Sequence, residues 1–474
     1  MASADRPQIV ILGAGPAGLG AAWKLVRRGC FDVTVVERAA SVGGNAGSFE
    51  LCGLRVDYGS HRLHPSCSPQ ILADIREMPG ADLLDRPRHG RIRLRGRWVH
   101  FPLRPLDLLT HLPPSFLLGV TADALRKLGR PARAHEDFRA VLEAGLGRTI
   151  CRDFYFPYAQ KIWGVSPEEL DAEQARRRVS GNSLAKMAQK VMRAIPGFRP
   201  TGGGRFYYPR NGFGSISEAF YCGAIRGGAA VRLGETVAEV SVECGRAFAV
   251  RTHGAAGADT LPACQVLSTI PVSQLARVIS PSAPEDVLQS ADALRFRSMI
   301  LIYLVLETDR FTEYDAHYFP DAAIGITRLS EPKNYGLADR PGVTVLCAEL
   351  PCGRTDAVWS ASDRELGDRV MDALATAGLP VKVPVREIAT RRLPQAYPIY
   401  TRDYRRHFDR IDEWLSGISG LVSFGRQGLF AHDNTHHALA MAYGLNECLD
   451  DRGALDPSRW AEYRREFQHH VVED

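Results

Sequence analysis

Lysine is nearly missing from this chain: seven of its 59 basic residues are Lys and the other 52 are Arg. Spread over 474 residues at a formal net charge of +5, those arginines read as genomic base composition, because a nucleic-acid surface would gather them in one patch. The ten cysteines include no C-x-x-C pair to go with a histidine pair of zinc spacing. The expectation is therefore reduced thiols and no metal. No run of eighteen apolar residues occurs, so nothing is expected to span a membrane. A G-x-S-x-G nucleophile elbow is also absent. The first strand-like run begins within nine residues of Met1, which leaves no room for a targeting segment and suggests a cytoplasmic protein.

What the chain does have is ordinary globular composition, 45% hydrophobic and 24% charged, and length enough for two domains. Its most informative stretch is Gln8-Ile-Val-Ile-Leu-Gly-Ala-Gly-Pro-Ala-Gly-Leu-Gly20. Ile9 to Leu12 form the unbroken apolar run of a strand buried on both faces, and a helix is expected from Leu19. Gly13, Gly15 and Gly18 thus fall at a strand-to-helix turn. The first permits the turn, the second lets backbone approach a pyrophosphate, and the third lets helix and strand close together. Pro16 and Ala17 open the helix, whose N–H groups face the phosphates. A second strand, Phe31 to Glu37, ends nineteen residues after Gly18 in an acid that can accept hydrogen bonds from an adenosine ribose.

A second glycine loop, Arg38-Ala-Ala-Ser-Val-Gly-Gly-Asn-Ala-Gly-Ser48, follows at once. A simple nicotinamide dehydrogenase would enter a crossover helix here. A second backbone approach at Gly43 and Gly44 suits the longer FAD molecule instead. This segment resembles the flavoprotein superfamily of amine oxidases, protoporphyrinogen oxidases, phytoene desaturases and UDP-galactopyranose mutases. The late run Leu421-Val-Ser-Phe-Gly-Arg-Gln-Gly-Leu-Phe-Ala-His-Asp-Asn434 resembles that superfamily's closing FAD element. A helix starting at Asn434 or Thr435 would aim its positive end at the flavin pyrimidine and favour the reduced, negatively charged ring.

Three further stretches resemble the mutases and also protoporphyrinogen-oxidase-like bacterial proteins. They are Gly59-Ser-His-Arg-Leu-His64, Arg97-Trp-Val-His-Phe-Pro102 and Tyr155-Phe-Pro-Tyr-Ala-Gln-Lys-Ile-Trp-Gly164. The mutases follow their late Gly-Arg with a tyrosine-rich stretch ending Tyr-x-Asp-Met, whereas Phe430-Ala-His-Asp-Asn-Thr435 stands here. The fold implied is α/β: a Rossmann-like FAD-binding domain of the two-dinucleotide-binding type with an inserted α+β substrate domain. The expected FAD domain takes 1–70, 205–275 and 390–474, and the substrate domain 71–204 and 276–389.

The resemblance extends the cofactor set beyond the glycines, Glu37 and Arg38 to Asn45, Tyr58, Gly59, Ser60, His61, Val237, Gly425 and Arg426. Val237 would bring its backbone near the adenine. His61 is the candidate for proton transfer, since histidine titrates near neutrality, while His64 reads as structural. His436 and His437 read as neighbours of a helix cap. Arg97, Trp163, Arg328, Tyr397, Tyr400 and Arg402 are candidates to line the substrate pocket. Alternating runs at Met299 to Glu307 and Gly342 to Glu349 predict a sheet in the substrate domain. The broken apolar stretch Leu103 to Val120 predicts a helix pair beside a pocket, with weak association at a membrane surface as the other reading. The function implied is hydride transfer from a small organic substrate to flavin. The alternative is isomerisation of a nucleotide sugar on reduced FAD, and a catalytically silent flavin-bound subunit is a third reading. Substrate, electron acceptor and oligomeric state are not legible.

Overall fold

The computed structural model describes residues 6–103, 105–127, 137–178, 204–336 and 340–472. Its organising element is a five-stranded parallel sheet in the order Leu421–Ser423, Gln265–Ser268, Gln8–Leu12, Asp32–Glu37, Ala230–Leu233. The unbroken apolar first strand is explained by what lies on each side of it. Ile9 and Ile11 pack into one core with helices Pro16–Arg28, Ser215–Arg226 and Thr435–Glu447. Val10 and Leu12 face a second core built with helices Val272–Val278 and Tyr404–Ser416. Strands that bury both faces lose the polar half of the usual alternation.

Helix Pro16–Arg28 begins with Pro at its first turn and stops at Gly29 in the left-handed region (φ 72°), the arrangement expected of a Pro-started, Gly-ended helix. It lies close to helix Thr435–Glu447: a Cβ on Gly20 would sit 2.8 Å from Leu439. The first and last parts of the chain are thereby packed together. On the second side of the parallel sheet, Gly257–Pro262, Arg246–Gly254, Thr236–Glu243 and Ile279–Ser280 form a four-stranded layer.

A seven-stranded sheet runs Val385–Pro398, Phe296–Leu306, Thr344–Cys352, Arg328–Ser330, Ala316–Tyr318, Gly90–Leu94, Arg97–Phe101. Phe296–Leu306 departs from the alternation expected of it, because every residue from Ser298 onward is buried. Ile300, Ile302, Leu304 and Leu306 enter the core under helix Asp363–Thr376, while Met299, Leu301, Tyr303 and Val305 pack on hairpin Ser48–Leu51/Leu54–Asp57. The long strand Val385–Pro398 crosses residue 390, helix Pro69–Glu77 crosses 70 and helix Val272–Val278 crosses 275. The domain boundaries expected at those points therefore fall inside regular elements that no linker interrupts.

Helices Pro105–His111 and Pro114–Lys127 form the expected pair, and Leu118 and Leu125 stand 71% and 63% exposed on the second. Residues 179–203, within the expected substrate domain, lie outside the described residues. No helix among the described residues is long and apolar enough to cross a membrane. All ten cysteines are free thiols.

Candidate functional site

Three glycine loops from distant parts of the sequence meet at the C-terminal ends of the parallel strands, where open α/β sheets bind ligands. Gly13 takes φ +102° and packs against Thr269, and its N–H bonds Val36 O at 2.8 Å. A Cβ on Gly18 would run into the Gly13 carbonyl, whereas one on Gly15 would meet nothing within 4 Å. Gly18 is thus a packing glycine, and Gly15 borders open space that a ligand can approach. Gly43 (φ +108°) donates to Ala14 O at 2.8 Å. A Cβ on Gly44 would lie 3.4 Å from Gly15 Cα, and one on Gly425 (φ +76°) would lie 2.9 Å from Ala17. This convergence of bare backbone fits the elongated diphosphate and ribityl parts of a flavin dinucleotide.

Glu37 closes the far end of the cradle. Its carboxylate accepts Ala14 N–H and Ala39 N–H, each at 2.9 Å, which fixes both oxygens and leaves lone pairs for ribose hydroxyls. Arg38 beside it is exposed. Val237 sits in strand Thr236–Glu243 opposite Thr252, partly buried against the second core. Asn434 caps helix Thr435–Glu447, with its side chain bonded to the backbone of His437.

On the other side of the glycine loops, the end of the long edge strand ties two of them together. Gln395 O accepts from Asn45 Nδ2 (3.3 Å) and Gln427 Nε2 (2.9 Å), and Ala396 O accepts from Arg426 (2.7 Å). Tyr397 lies under the Arg426 guanidinium, 5.3 Å from ring centre to Cζ, and meets Trp163 edge-on.

His61 is held by backbone. Its Nε2 lies 2.9 Å from Asn45 O and 2.8 Å from Tyr58 O, and its ring stacks on Phe213. Burial lowers its pKa, against the opposing charge of Asp57, so the imidazole is neutral, Nε2 carries the proton, and Nδ1 is the ring's acceptor. The preceding residues are equally constrained: Tyr58 lies beneath Arg391 at 3.6 Å, Gly59 takes φ +95°, and Ser60 N–H donates to Glu349 Oε1 at 3.1 Å. Arg328 grips that same oxygen through Nε (3.0 Å) and a terminal nitrogen (2.7 Å). The pair is 13% and 6% exposed.

Asp57, which sequence reasoning passed over, organises this corner. Its buried carboxylate accepts Ser48 Oγ (2.6 Å), Tyr208 OH (2.6 Å) and Phe213 N–H (2.8 Å). Burial pushes its pKa up, and these three donors pull the other way. Glu349 and Thr269 were missed as well. The first is an acid ending an apolar strand-like run, and the second sits where a buried strand stops before Pro271, both usable signals.

The expected pocket residues are spread over several surroundings. Tyr400 is a core residue, stacked on Tyr404 at 4.0 Å with its hydroxyl donated to Phe430 O at 2.9 Å. Trp163 is buried against His432, which pairs with Gln174. Arg402 forms a surface pair with Asp137 at 2.9 Å, and Arg97 is exposed at the start of its strand. His64 bonds Ser66 Oγ at 2.8 Å, a loop role. Of the six, Arg328 joins the His61 corner and Tyr397 the Arg426 turn. Asp433, His437 and His470, none of which sequence spacing singled out for metal, bring three ligand atoms within 4.8 Å of one another.

The sequence model of the family described as flavin containing amine oxidoreductase matches residues 16–422. Mitochondrial protoporphyrinogen oxidase of Nicotiana tabacum is 27% identical over 173 residues, a match spanning 34% of this chain and 34% of that protein. The fold is similar to that of a reduced UDP-galactopyranose mutase (TM-score 0.79, 19% identity, 96% of this chain and 97% of that one). It is also similar to cyclohexylamine oxidase from Brevibacterium oxydans IH-35A (TM-score 0.64, 15% identity, 93% and 99%).

Proposed function

Since the chain belongs to the flavin containing amine oxidoreductase family, we propose that it is an FAD-dependent oxidoreductase that takes hydride from a small organic substrate. The observation that carries the reading is the meeting of Gly15, Gly44 and Gly425 around open space beside a corner of fixed polar groups. Bound FAD supplies the hydride acceptor and its redox chemistry. The chain supplies the rest. The turns at Gly15 and Gly44 would hold the diphosphate with backbone N–H groups, while the N–H groups of Gly13, Ala14 and Gly43 fix the turns themselves, and Glu37 would take the ribose. Arg426, Asn434 and Thr435 would face the ring, and the start of helix Thr435–Glu447 would favour negative charge there. His61 offers Nδ1 as a proton acceptor while its Nε2–H stays on backbone carbonyls. Glu349 positions the His61 loop through Ser60 and holds Arg328 in place. Segments 1–70, 205–275 and 390–474 supply the cofactor lobe in this reading and the remainder the substrate lobe, with junctions shifted to the ends of the elements that cross them.

The deciding experiment mixes FAD-loaded protein anaerobically with amines, polycyclic or isoprenoid substrates and nucleotide sugars. Loss of the oxidised-flavin absorbance with an amine or a reduced polycyclic compound is the expected result. A protein that retains no flavin after reconstitution overturns the proposal. So does conversion of a nucleotide sugar by reduced enzyme with no net consumption of reductant.

A further inference from the structure

Outside the groups used above, a compact cluster of metal-binding side chains among the described residues lies where helix Thr435–Glu447 begins and the chain's C-terminal segment returns to it. Asp433 Oδ1 is 3.3 Å from His437 Nδ1 and 3.1 Å from His470 Nδ1. Ligand atoms about 2.0–2.1 Å from a tetrahedral zinc ion stand roughly 3.3 Å apart, so these separations match a site needing little adjustment. The carboxylate is wholly buried, while the two imidazoles keep 13% and 18% of their surface. That leaves an entry path and room for a water in the fourth position.

Two observations indicate that the cluster is incomplete as a set of hydrogen bonds. Asp433 Oδ2 is buried with no hydrogen-bond partner, and both ring nitrogens of the buried His436, whose ring centre is 4.1 Å from that of His437, are in the same condition. Polar atoms in that state are rare in folded proteins and call for a bound partner. In addition, Asn434 N–H reaches His437 Nδ1 at 3.2 Å, so that nitrogen faces both a backbone donor and the Asp433 carboxylate. The nearby cation Arg177 is itself paired with Glu173 at 2.8 Å.

We infer that Asp433, His437 and His470 form a binding site for one divalent transition-metal ion, zinc by ligand type, which pins the segment around His470 to the start of helix Thr435–Glu447. One carboxylate and two imidazoles suit zinc, copper or nickel and disfavour calcium and magnesium, which prefer oxygen ligands. The ion's role is structural, and the site does not depend on the flavin reading.

The test uses the full chain with its flavin, stripped by EDTA and dialysed against Zn2+ or Co2+, with bound metal measured by plasma emission. Wild type is expected to hold one ion per chain. His470→Gln, a partly exposed change that leaves flavin content and circular dichroism intact, is expected to lose at least about 100-fold in affinity. Co2+ should give a tetrahedral visible spectrum without thiolate charge-transfer bands, which separates this site from the free cysteines. Zn2+ should raise the melting midpoint of wild type and leave that of His470→Gln unmoved. No bound ion in wild type, an ion retained equally by His470→Gln, or a thiolate signature each overturns the inference.

Discussion

At the scale of single residues, the glycine fingerprint divides into positions that serve packing and positions that serve a ligand. A Cβ on Gly15 meets nothing, while one on Gly18 meets the Gly13 carbonyl. Gly15→Ala should therefore keep its stability within about 0.5 kcal/mol, the usual range for a change that disturbs no contact, yet lose FAD affinity tenfold or more. Gly18→Ala should lose stability first. Chemical denaturation with and without FAD separates the two. Asp57 gives the opposite kind of case, a buried acid with three donors. Asp57→Ala should cost about 3 kcal/mol, since it leaves those donors unpaired, and should loosen the His61 loop. His317 is 1% exposed among Trp98, Tyr314 and Phe319. Burial, with the charge of Arg91, pushes its pKa down to about 3. Below its ordinary value near 6.5 the unfolded chain takes a proton that the folded chain refuses, so stability falls as pH drops through 6.5 toward 3. His317→Phe should reduce the stability lost between pH 6.5 and 5.5 by about 1 kcal/mol, measured by urea unfolding at each pH.

At the scale of elements, legibility followed burial on both faces and local backbone demand. Gln8–Leu12 announced itself because a parallel strand in a sandwiched sheet is apolar from Ile9 to Leu12. Strand Val385–Pro398 was not legible. It carries Arg386, Glu387, Arg391 and Arg392 at the edge of its sheet, and nearly all its residues are only partly buried, so no period stands out. The site divides the same way. Glycine loops are local and could be read, but the bond from Ser60 to Glu349 joins residues 289 apart in sequence and leaves no trace in spacing. Lys161 shows how such a link holds an element in place. From helix Phe156–Trp163 its amine donates to Phe319 O (2.6 Å), Asp321 O (3.0 Å) and Ile326 O (2.8 Å). Lys161→Met removes all three donors from a partly buried loop. A loss of about 2 kcal/mol or more is expected, with amide exchange accelerating over 319–326 and flavin binding unchanged.

At the scale of the whole molecule, the proposed cofactor cradle is assembled from both ends of the chain. Helix Pro16–Arg28 packs on helix Thr435–Glu447, and the Gly425 turn rests on Ala17, so the fingerprint that opens the sequence is completed by residues some 400 positions later. Ligand binding to such an assembly must report on its integrity. FAD at 100 times its dissociation constant should stabilise the folded chain by about 2.7 kcal/mol, visible as a rise in melting midpoint. A chain ending at Phe424 keeps Gly13, Gly15, Gly18 and Glu37 but loses Gly425, Arg426 and, with all that follows, helix Thr435–Glu447. It also uncovers Ala21, Ala22 and Leu25, all buried in the core shared with that helix. The expected outcome is no detectable FAD binding and exposure of apolar surface to a hydrophobic dye. Retention of FAD by that shortened chain would mean that the N-terminal βαβ unit binds the dinucleotide alone, and the three-loop cradle would then have to be abandoned as the basis of the site.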